Sequence, residues 1–529
     1  MKDLYLKRAE ENLPPMFYEC VASDDAVTVV ADEKAFFGCS AHASGKIPAV
    51  VVTGDRFVVD FGRHCVGRLS FTVADDGRYI DAPVRLRLRF AEVPYELFRD
   101  ASSYRGNLCA SWLTEDVINV DFIGRVELDR RYSFRYLEVT VLATPRPTRL
   151  FDFSVRCETS ADLSRLVPLP EGTDAELAEI DRISTNTLRD CMQSSYEDGP
   201  KRDRRLWSGD LRLQALTDQV LFGNDMLARR CLYLFAACKR EGKYLPGCLY
   251  QYPSLSFDEG MEIPDYSMLF CTAVADYYAH TKDLETVREL FDVVKNEIGV
   301  AIDNLDENGI VTLPPYGWPG FIDWAPGLEH VTAVHGAYLY ALEHVIPLCR
   351  ALGDFELAAK WTCALADGRV AALAHLFDDE TGAFVNKYEK GTHTVEGAVV
   401  PAAPCVSNSG KGQVSVQAQA WMVLGGVVDG EGAERAIRFA LTAPDAIAPV
   451  TPYMHHYLVE AMLRADMRDE ALMHIKSYWG AMVRAGADTF WEVFVQDHPE
   501  ASPYNDPLMH SFCHAWSCSA SYFIRKYFV

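Results

Sequence analysis

Residues 197–210 read Glu197-Asp198-Gly199-Pro200-Lys201-Arg202-Asp203-Arg204-Arg205-Leu206-Trp207-Ser208-Gly209-Asp210. Acidic and basic side chains crowd around one indole here. Gly-Pro fixes a turn, an indole is costly to leave in water, and a guanidinium beside a carboxylate holds it ionised or orients it. Such a set suits acid–base chemistry; the competing reading is a solvated charged loop whose Ser208 caps the next helix. Gly317-Trp318-Pro319-Gly320-Phe321-Ile322-Asp323-Trp324 places two indoles around an acid in a Pro/Gly-rich loop. Indole faces stack on the apolar faces of sugar rings while a carboxylate accepts hydroxyl hydrogen bonds, although two tryptophans also serve to close the end of a core. In Asp488-Thr489-Phe490-Trp491-Glu492 an acid follows two aromatics. An apolar pocket there raises the Glu492 pKa towards a value useful for a general base or acid; the alternative is a surface Glu.

Other candidates carry less. Asp265, in Ile263-Pro264-Asp265-Tyr266, is read as a helix cap or as a further polar group of the same site. His455 and His456 have no spaced third ligand, and His510 and His514, four apart and able to share a helix face, have no HExxH pattern. Neither Cys231 with Cys238 nor Cys513 with Cys518 is spaced as CxxC, so no metal and no cofactor are expected.

Two kinds of element must position these groups. Up to about residue 160 the apolar runs are short and rich in Val, Phe and Tyr: Ala26–Val30, Pro48–Val52, Phe57–Phe61, Arg68–Val73, Val84–Phe90, Val117–Phe122 and Phe134–Leu142. In Val84-Arg85-Leu86-Arg87-Leu88-Arg89-Phe90 apolar and basic side chains alternate strictly, the pattern of a half-buried strand. Short strands of this kind predict an antiparallel β-sandwich. Beyond Leu169-Pro170-Glu171-Gly172 the period becomes helical, with segments starting near Thr173, Ser208, Asp225, Asp265, Asp283, Val331, Asp354, Gln413, Glu431, Tyr453, Asp466 and Leu508. Many helices in one half predict pairs arranged as a toroid or solenoid. The expected domains are therefore 1–165, the β-sandwich, and 166–529, the helical part. Loops 196–207, 251–264, 314–330 and 486–507 are where chemistry would sit, and motifs nearly 300 residues apart share one pocket only if the chain closes on itself.

Composition narrows the partners. With 49% hydrophobic and 24% charged residues over 529 positions, the chain has material for large cores and is not of the disordered class. Its net charge of -24 repels phosphate backbones, so neither nucleic acid nor an anionic membrane is expected as partner. The N-terminal stretch has no apolar signal region, and no later run is long enough to span a bilayer. Fifteen scattered cysteines, several inside apolar helical patterns, read as reduced core residues of a cytoplasmic protein.

Asp198 to Asp210 resembles the DCPQR(D/E)(E)RLGWTGD signature of glycoside hydrolase family 78, the bacterial α-L-rhamnosidases. The likeness continues in order with Ile322-Asp323-Trp324, Trp491-Glu492 and His510-Ser511-Phe512-Cys513-His514-Ala515, and earlier with Phe57-Val58-Val59-Asp60-Phe61-Gly62 and Phe134-Arg135-Tyr136-Leu137. It covers nearly the whole chain. The resemblance implies a β-sandwich followed by an (α/α)6 barrel, and inverting hydrolysis of α-L-rhamnosides by one acid and one base. By position the acid is Asp203 and the base Glu492. Asp198, Arg202, Trp207, Asp210, Asp323, Trp324 and His514 match sugar-pocket positions; Asp265, Trp318 and Trp491 complete the expected substrate-binding set. Asp198 is expected as an ionised acceptor of sugar hydroxyls, and Asp203 as a carboxyl kept protonated against Arg202, Arg204 and Arg205.

Three departures stand out. Many members carry a Glu acid where this chain has Arg204, the motif Cys is Gly199, and the sequence ends at Val529, which implies absence of the C-terminal sandwich found in many relatives. The expected activity is exo-acting release of rhamnose, or a close deoxysugar, from small glycosides or oligosaccharides. Two alternatives stay open: an inverting glycoside phosphorylase, whose phosphate site would replace the water-activating carboxylate, and a non-catalytic sugar-binding protein.

Overall fold

The computed structural model describes residues 1–75, 82–314, 316–388 and 414–529. Its N-terminal part is built from β1 (Phe17–Ala22), β2 (Asp25–Ala31), β3 (Cys39–Lys46), β4 (Arg56–Asp75), β5 (Val84–Ala91), β6 (Glu115–Val120), β7 (Gly124–Glu127), β8 (Tyr132–Ala143) and β9 (Thr148–Thr159). All pair antiparallel in the order β1-β9-β4-β8-β5-β6, with β2, β3 and β7 joined through β4. The alternation read in the sequence holds in β5. Val84, Leu86, Leu88 and Phe90 are buried beside Phe71, Phe134, Val139 and Val155, while Arg85, Arg87 and Arg89 stay on the other face.

Where strands end is less regular. Phe57–Phe61 and Arg68–Val73, expected as separate strands, are one 20-residue strand, β4. Its pairing with β8 is interrupted between Asp60 and Cys65 by an irregularity that includes Gly62 at φ +74°. This break lets the first half pair with β2 and the second with β9 and β7. Pro48–Val52 forms no strand, only a single bridge from Val51 to Thr148.

The helical part follows the expected starts closely. Besides α1 (Lys2–Glu11) and the single turn α2 (Tyr95–Phe98), it comprises α3 (Ala175–Cys191), α4 (Ser208–Leu221), α5 (Asp225–Ala236), α6 (Pro264–Thr281), α7 (Leu284–Asp303), α8 (Val331–Leu352), α9 (Phe355–His375), α10 (Val416–Leu424), α11 (Gly430–Thr442), α12 (Pro452–Arg464), α13 (Arg468–Arg484) and α14 (Ala520–Phe523). Asp174, Asn224, Asp283, Asp354, Ser415 and Thr451 each accept a backbone N–H at a helix start, which fixes where these helices begin. The start expected near Gln413 lies outside the described residues. The one expected at Leu508 is a three-residue 3-10 turn, Pro507–Met509, because the chain there is pinned by side chains rather than wound into a helix.

Packing runs α4 to α6 to α8 to α10 to α12, then to the segment 515–523 and back to α4. Outside this inner ring, α5, α7, α9, α11 and α13 pack on it, and α13 meets α3. Helix pairs thus close on themselves as a toroid. At Gly336 of α8 an added Cβ would lie 2.6 Å from the backbone of Trp421 in α10, so only glycine permits that approach. The first helix packs on the helical part: α1 contacts α5, and Arg8 bonds Glu289 of α7 at 2.5 Å. Among the described residues, no helix is long and apolar enough to cross a membrane.

Candidate active site

The loop from α3 to α4 folds back on itself. Asp198 accepts the backbone N–H of Arg205 (3.0 Å) and of Asp203 (3.3 Å), and its own N–H bonds the Arg205 carbonyl at 3.0 Å. Gly199 is required at this turn, since a Cβ there would stand 2.5 Å from the Arg202 carbonyl and 2.8 Å from Ser511 Oγ. The next residues therefore enter the mouth of the toroid. Arg202, 4% exposed, donates Nε to the Met509 carbonyl (3.1 Å), Nη1 to Asp203 Oδ1 (3.2 Å) and Nη2 to Glu492 Oε2 (2.6 Å). One guanidinium thus joins two carboxylates 289 positions apart in sequence.

Glu492 is held on three sides. Oε1 accepts the Tyr504 hydroxyl at 2.5 Å, and Oε2 accepts the Ser511 N–H at 3.0 Å as well as Arg202. Burial works to raise its pKa, but the Arg202 charge, followed by His514 and His510, outweighs burial and brings the carboxyl to about 2. This corrects the raised value expected from Phe490 and Trp491: the apolar surroundings are present, and a buried cation overrides them. Asp198 departs in the other direction. Burial, then the charge of Asp203, pushes it up to about 7, while both of its oxygens accept backbone N–H groups of its own loop.

These groups line a cleft with about 400 Å³ of space between atoms, part of it open to solvent. Of the expected residues, Asp198, Arg202, Asp203, Trp207, Asp210, Trp318, Trp324, Glu492 and His514 all face it. Trp318 and Trp324 stand 6.2 Å apart, and Phe321 stacks on Trp516 at 5.5 Å. Several buried polar atoms on these walls have no protein partner: Asp210 Oδ2, Trp324 Nε1 and His514 Nδ1. Buried polar groups are normally paired, so orphans on a cleft wall mark places for ligand hydroxyls. Burial, reinforced by the charge of Asp198, raises Asp210 well above the carboxylate range and keeps it a neutral donor.

Three expected residues lie behind the cleft instead. Asp265 is fully buried and accepts the N–H groups of Phe321 (2.8 Å) and Ile322 (3.0 Å), anchoring the indole loop. Asp323 spends both oxygens on Trp324 N, Gln417 Nε2, Val450 N and Thr451 N and Oγ1. Trp491 packs among Phe36, Phe37, Phe494 and Phe512 and joins the two domains. Conversely, Ile263, Tyr266, Phe321, Tyr504 and Trp516 line the cleft but were not among the expected site residues. Tyr504 falls in the 486–507 loop and Trp516 two residues past His514, so proximity to motif residues was the available signal. His510 and His514 share no helix face, since His510 follows a 3-10 turn and His514 precedes another.

The sandwich reaches the site from behind. Glu92, just past β5, accepts the Phe512 N–H at 2.6 Å, and Lys201 of the acidic loop bonds Glu96 at 2.8 Å and the His510 carbonyl. His64, Asp190 and Cys513 bring ligand-type atoms within 4.8 Å of one another. Their atoms are already engaged: His64 bonds Asp190 at 2.7 Å and Ser133 at 3.0 Å, and Asp190 bonds Arg189 at 2.7 Å. The donor set is that of a buried ion-pair network.

An antiparallel β domain followed by a ring of helix hairpins, with two carboxylates at an aromatic cleft, is the build of a class of glycoside hydrolases. Residues 23–159 match the glycosyl hydrolase family 78 alpha-rhamnosidase N-terminal domain, and residues 171–421 match the bacterial alpha-L-rhamnosidase 6 hairpin glycosidase domain. A rhamnosidase from Klebsiella oxytoca with rhamnose bound is 36% identical, with a TM-score of 0.91 over 100% of this chain and 99% of its own. The chain belongs to glycoside hydrolase family 78, the α-L-rhamnosidases. The family 78 rhamnosidase of Bacillus sp. GL1 shares the fold at 23% identity and a TM-score of 0.72; the match covers 94% of this chain and 50% of that one. The α-L-rhamnosidase of Streptomyces avermitilis complexed with L-rhamnose shares it at 16% identity and a TM-score of 0.66, over 97% and 44%. No curated protein matches the sequence at a significant level.

Proposed function

We propose that the protein is an inverting, exo-acting α-L-rhamnosidase that releases terminal rhamnose from small glycosides or oligosaccharides. The observation that carries this reading is Arg202, which holds Asp203 and Glu492 together in one aromatic-walled cleft, the two carboxyls an acid–base mechanism needs. Membership of the family, and likeness to a Klebsiella oxytoca enzyme with rhamnose bound, supports the choice of sugar. In this reading Asp203 protonates the leaving oxygen, and Glu492, ionised throughout the working range, takes the proton of the attacking water. Trp207, Trp318 and Trp324 provide apolar walls for the ring and methyl group of the deoxysugar; Asp210 and His514 bind hydroxyls. A cytoplasmic site of action is supported by the described cysteines, all free thiols and mostly buried.

Proton NMR of the nascent product from a nitrophenyl α-L-rhamnoside tests the assignment. The β-anomer of rhamnose should appear first, at a rate independent of added phosphate; a phosphorylated product would make the enzyme a phosphorylase. The pH profile is a further expected result. Asp198, beside Asp203 in the same loop, is held near 7 by burial and then by the charge of Asp203, and so carries a proton below that value. Raising pH through that value removes the proton, so kcat/KM should fall above about pH 7. Glu492, at about 2, should give no acidic limb at pH 5 to 7. A profile rising steadily from pH 6 to 9 would contradict this proton inventory.

A further inference from the structure

We propose that Tyr504 is a positioning residue for Glu492 and that the sandwich domain holds it in place, a proposal that rests on Glu492 being the base. Glu492 Oε2 is saturated by Arg202 and the Ser511 N–H. Oε1 therefore has to receive the proton from water, and its one protein donor among the described residues is the Tyr504 hydroxyl at 2.5 Å. A donor on one lone pair of Oε1 leaves the other as the direction in which the oxygen accepts. The phenol keeps its own proton, since burial raises it well above the usual tyrosine range.

Tyr504 owes its place to residues of the other domain. Its carbonyl accepts the Asn107 N–H at 3.0 Å, and two residues on, Asp506 Oδ2 accepts the Arg105 N–H at 3.1 Å. Asp506 Oδ1 meanwhile accepts the Leu508 N–H at 3.1 Å, starting the turn that leads to Met509 and Ser511. The Tyr504 ring lies 4.4 Å from the Arg202 guanidinium carbon, so the hydroxyl and the cation reach the carboxylate from neighbouring positions. Segment 104–107, far from the cleft in sequence, thus fixes a group that touches the proposed base.

Tyr504→Phe keeps the ring and deletes the donor. Expected are a fall in kcat of about tenfold or more, with KM and inhibition by free rhamnose within about threefold of the parent. Because a hydrogen bond to the ionised form lowers a carboxyl pKa, its loss should raise the Glu492 limb of kcat/KM, which in the parent lies below pH 5, by about one pH unit or more. The charged and titratable groups facing Glu492 are Arg202, Asp210, His510 and His514. Both histidines are held to about 4 by burial and are present in parent and variant, so the difference reports the hydroxyl. Asp506→Asn, which weakens the tether to Arg105 and leaves the hydroxyl, should shift kcat and the limb in the same direction by less. An unchanged kcat and limb in Tyr504→Phe, or a raised KM with unchanged kcat, would overturn the proposal. Parental kinetics in Asp506→Asn would overturn the part assigned to the sandwich. Glu492→Gln separates the two levels: if it retains turnover the assignment of the base fails, and if it is inactive while Tyr504→Phe is unaffected, only the role of Tyr504 fails.

Discussion

Replacing Glu492 by Gln is expected to lower kcat at least about a hundredfold, the usual scale for loss of a general base, while calorimetry shows rhamnose binding within a few-fold of the parent. The side chain keeps its size, and its amide oxygen still accepts from Tyr504 or from Ser511 N. What is lost is the negative charge that balances a buried Arg202 and that the proposed mechanism uses to take the proton from water. Taking from that guanidinium one of its two carboxylates has a cost of its own, at most about 3–5 kcal/mol, that of a buried pair broken on one side. A lower melting temperature should therefore accompany the lost turnover. Near-parental turnover would remove Glu492 from the mechanism.

Asp203→Asn should discriminate between substrates. On an alkyl rhamnoside, whose leaving oxygen needs a proton, the loss is expected at about a thousandfold; on a nitrophenyl rhamnoside, which leaves as a stable phenolate, it should stay within about tenfold. Asp203 is placed for this work: it faces the cleft with a side chain 14% exposed, whereas Asp198 has both oxygens on backbone N–H groups of its own loop. Equal losses on both substrates would assign Asp203 to positioning and shift the search for the acid to Asp210.

Most of the site was legible because its residue types announce themselves. Indoles in a Pro/Gly loop and carboxylates interleaved with arginines are unusual local combinations, and resemblance to family 78 tied them together. Charge state was harder to read. The spacing Phe490-Trp491-Glu492 says that Glu492 is buried, but the cation that overrides burial sits 290 positions earlier, and its approach depends on the fold. Asp265 and Asp323 show the converse: acids in aromatic loops read as ligand groups, yet backbone N–H groups absorb them. The helix starts were accurate where an Asp, Asn, Ser or Thr cap fixes them locally. Strand limits were not, because β4 is continuous only through pairing with four different partners. The contribution of the sandwich to the cleft left no pattern at all, since Glu92 and Phe512 are related only by the final packing.

The toroid closes where residues 515–523 dock between α12 and α4, and Glu92 meets Phe512 across 420 positions. For a chain emerging from the ribosome, catalytic competence therefore waits until residues up to 523 have been made. The sandwich, the acidic loop and both indoles are made early, but the pocket waits for contacts whose loop closure is entropically slow. Unfinished chains are thereby hydrolytically silent, and during refolding the return of activity should lag the helical far-ultraviolet signal; simultaneous recovery would mean that the ring closes in one step with its helices.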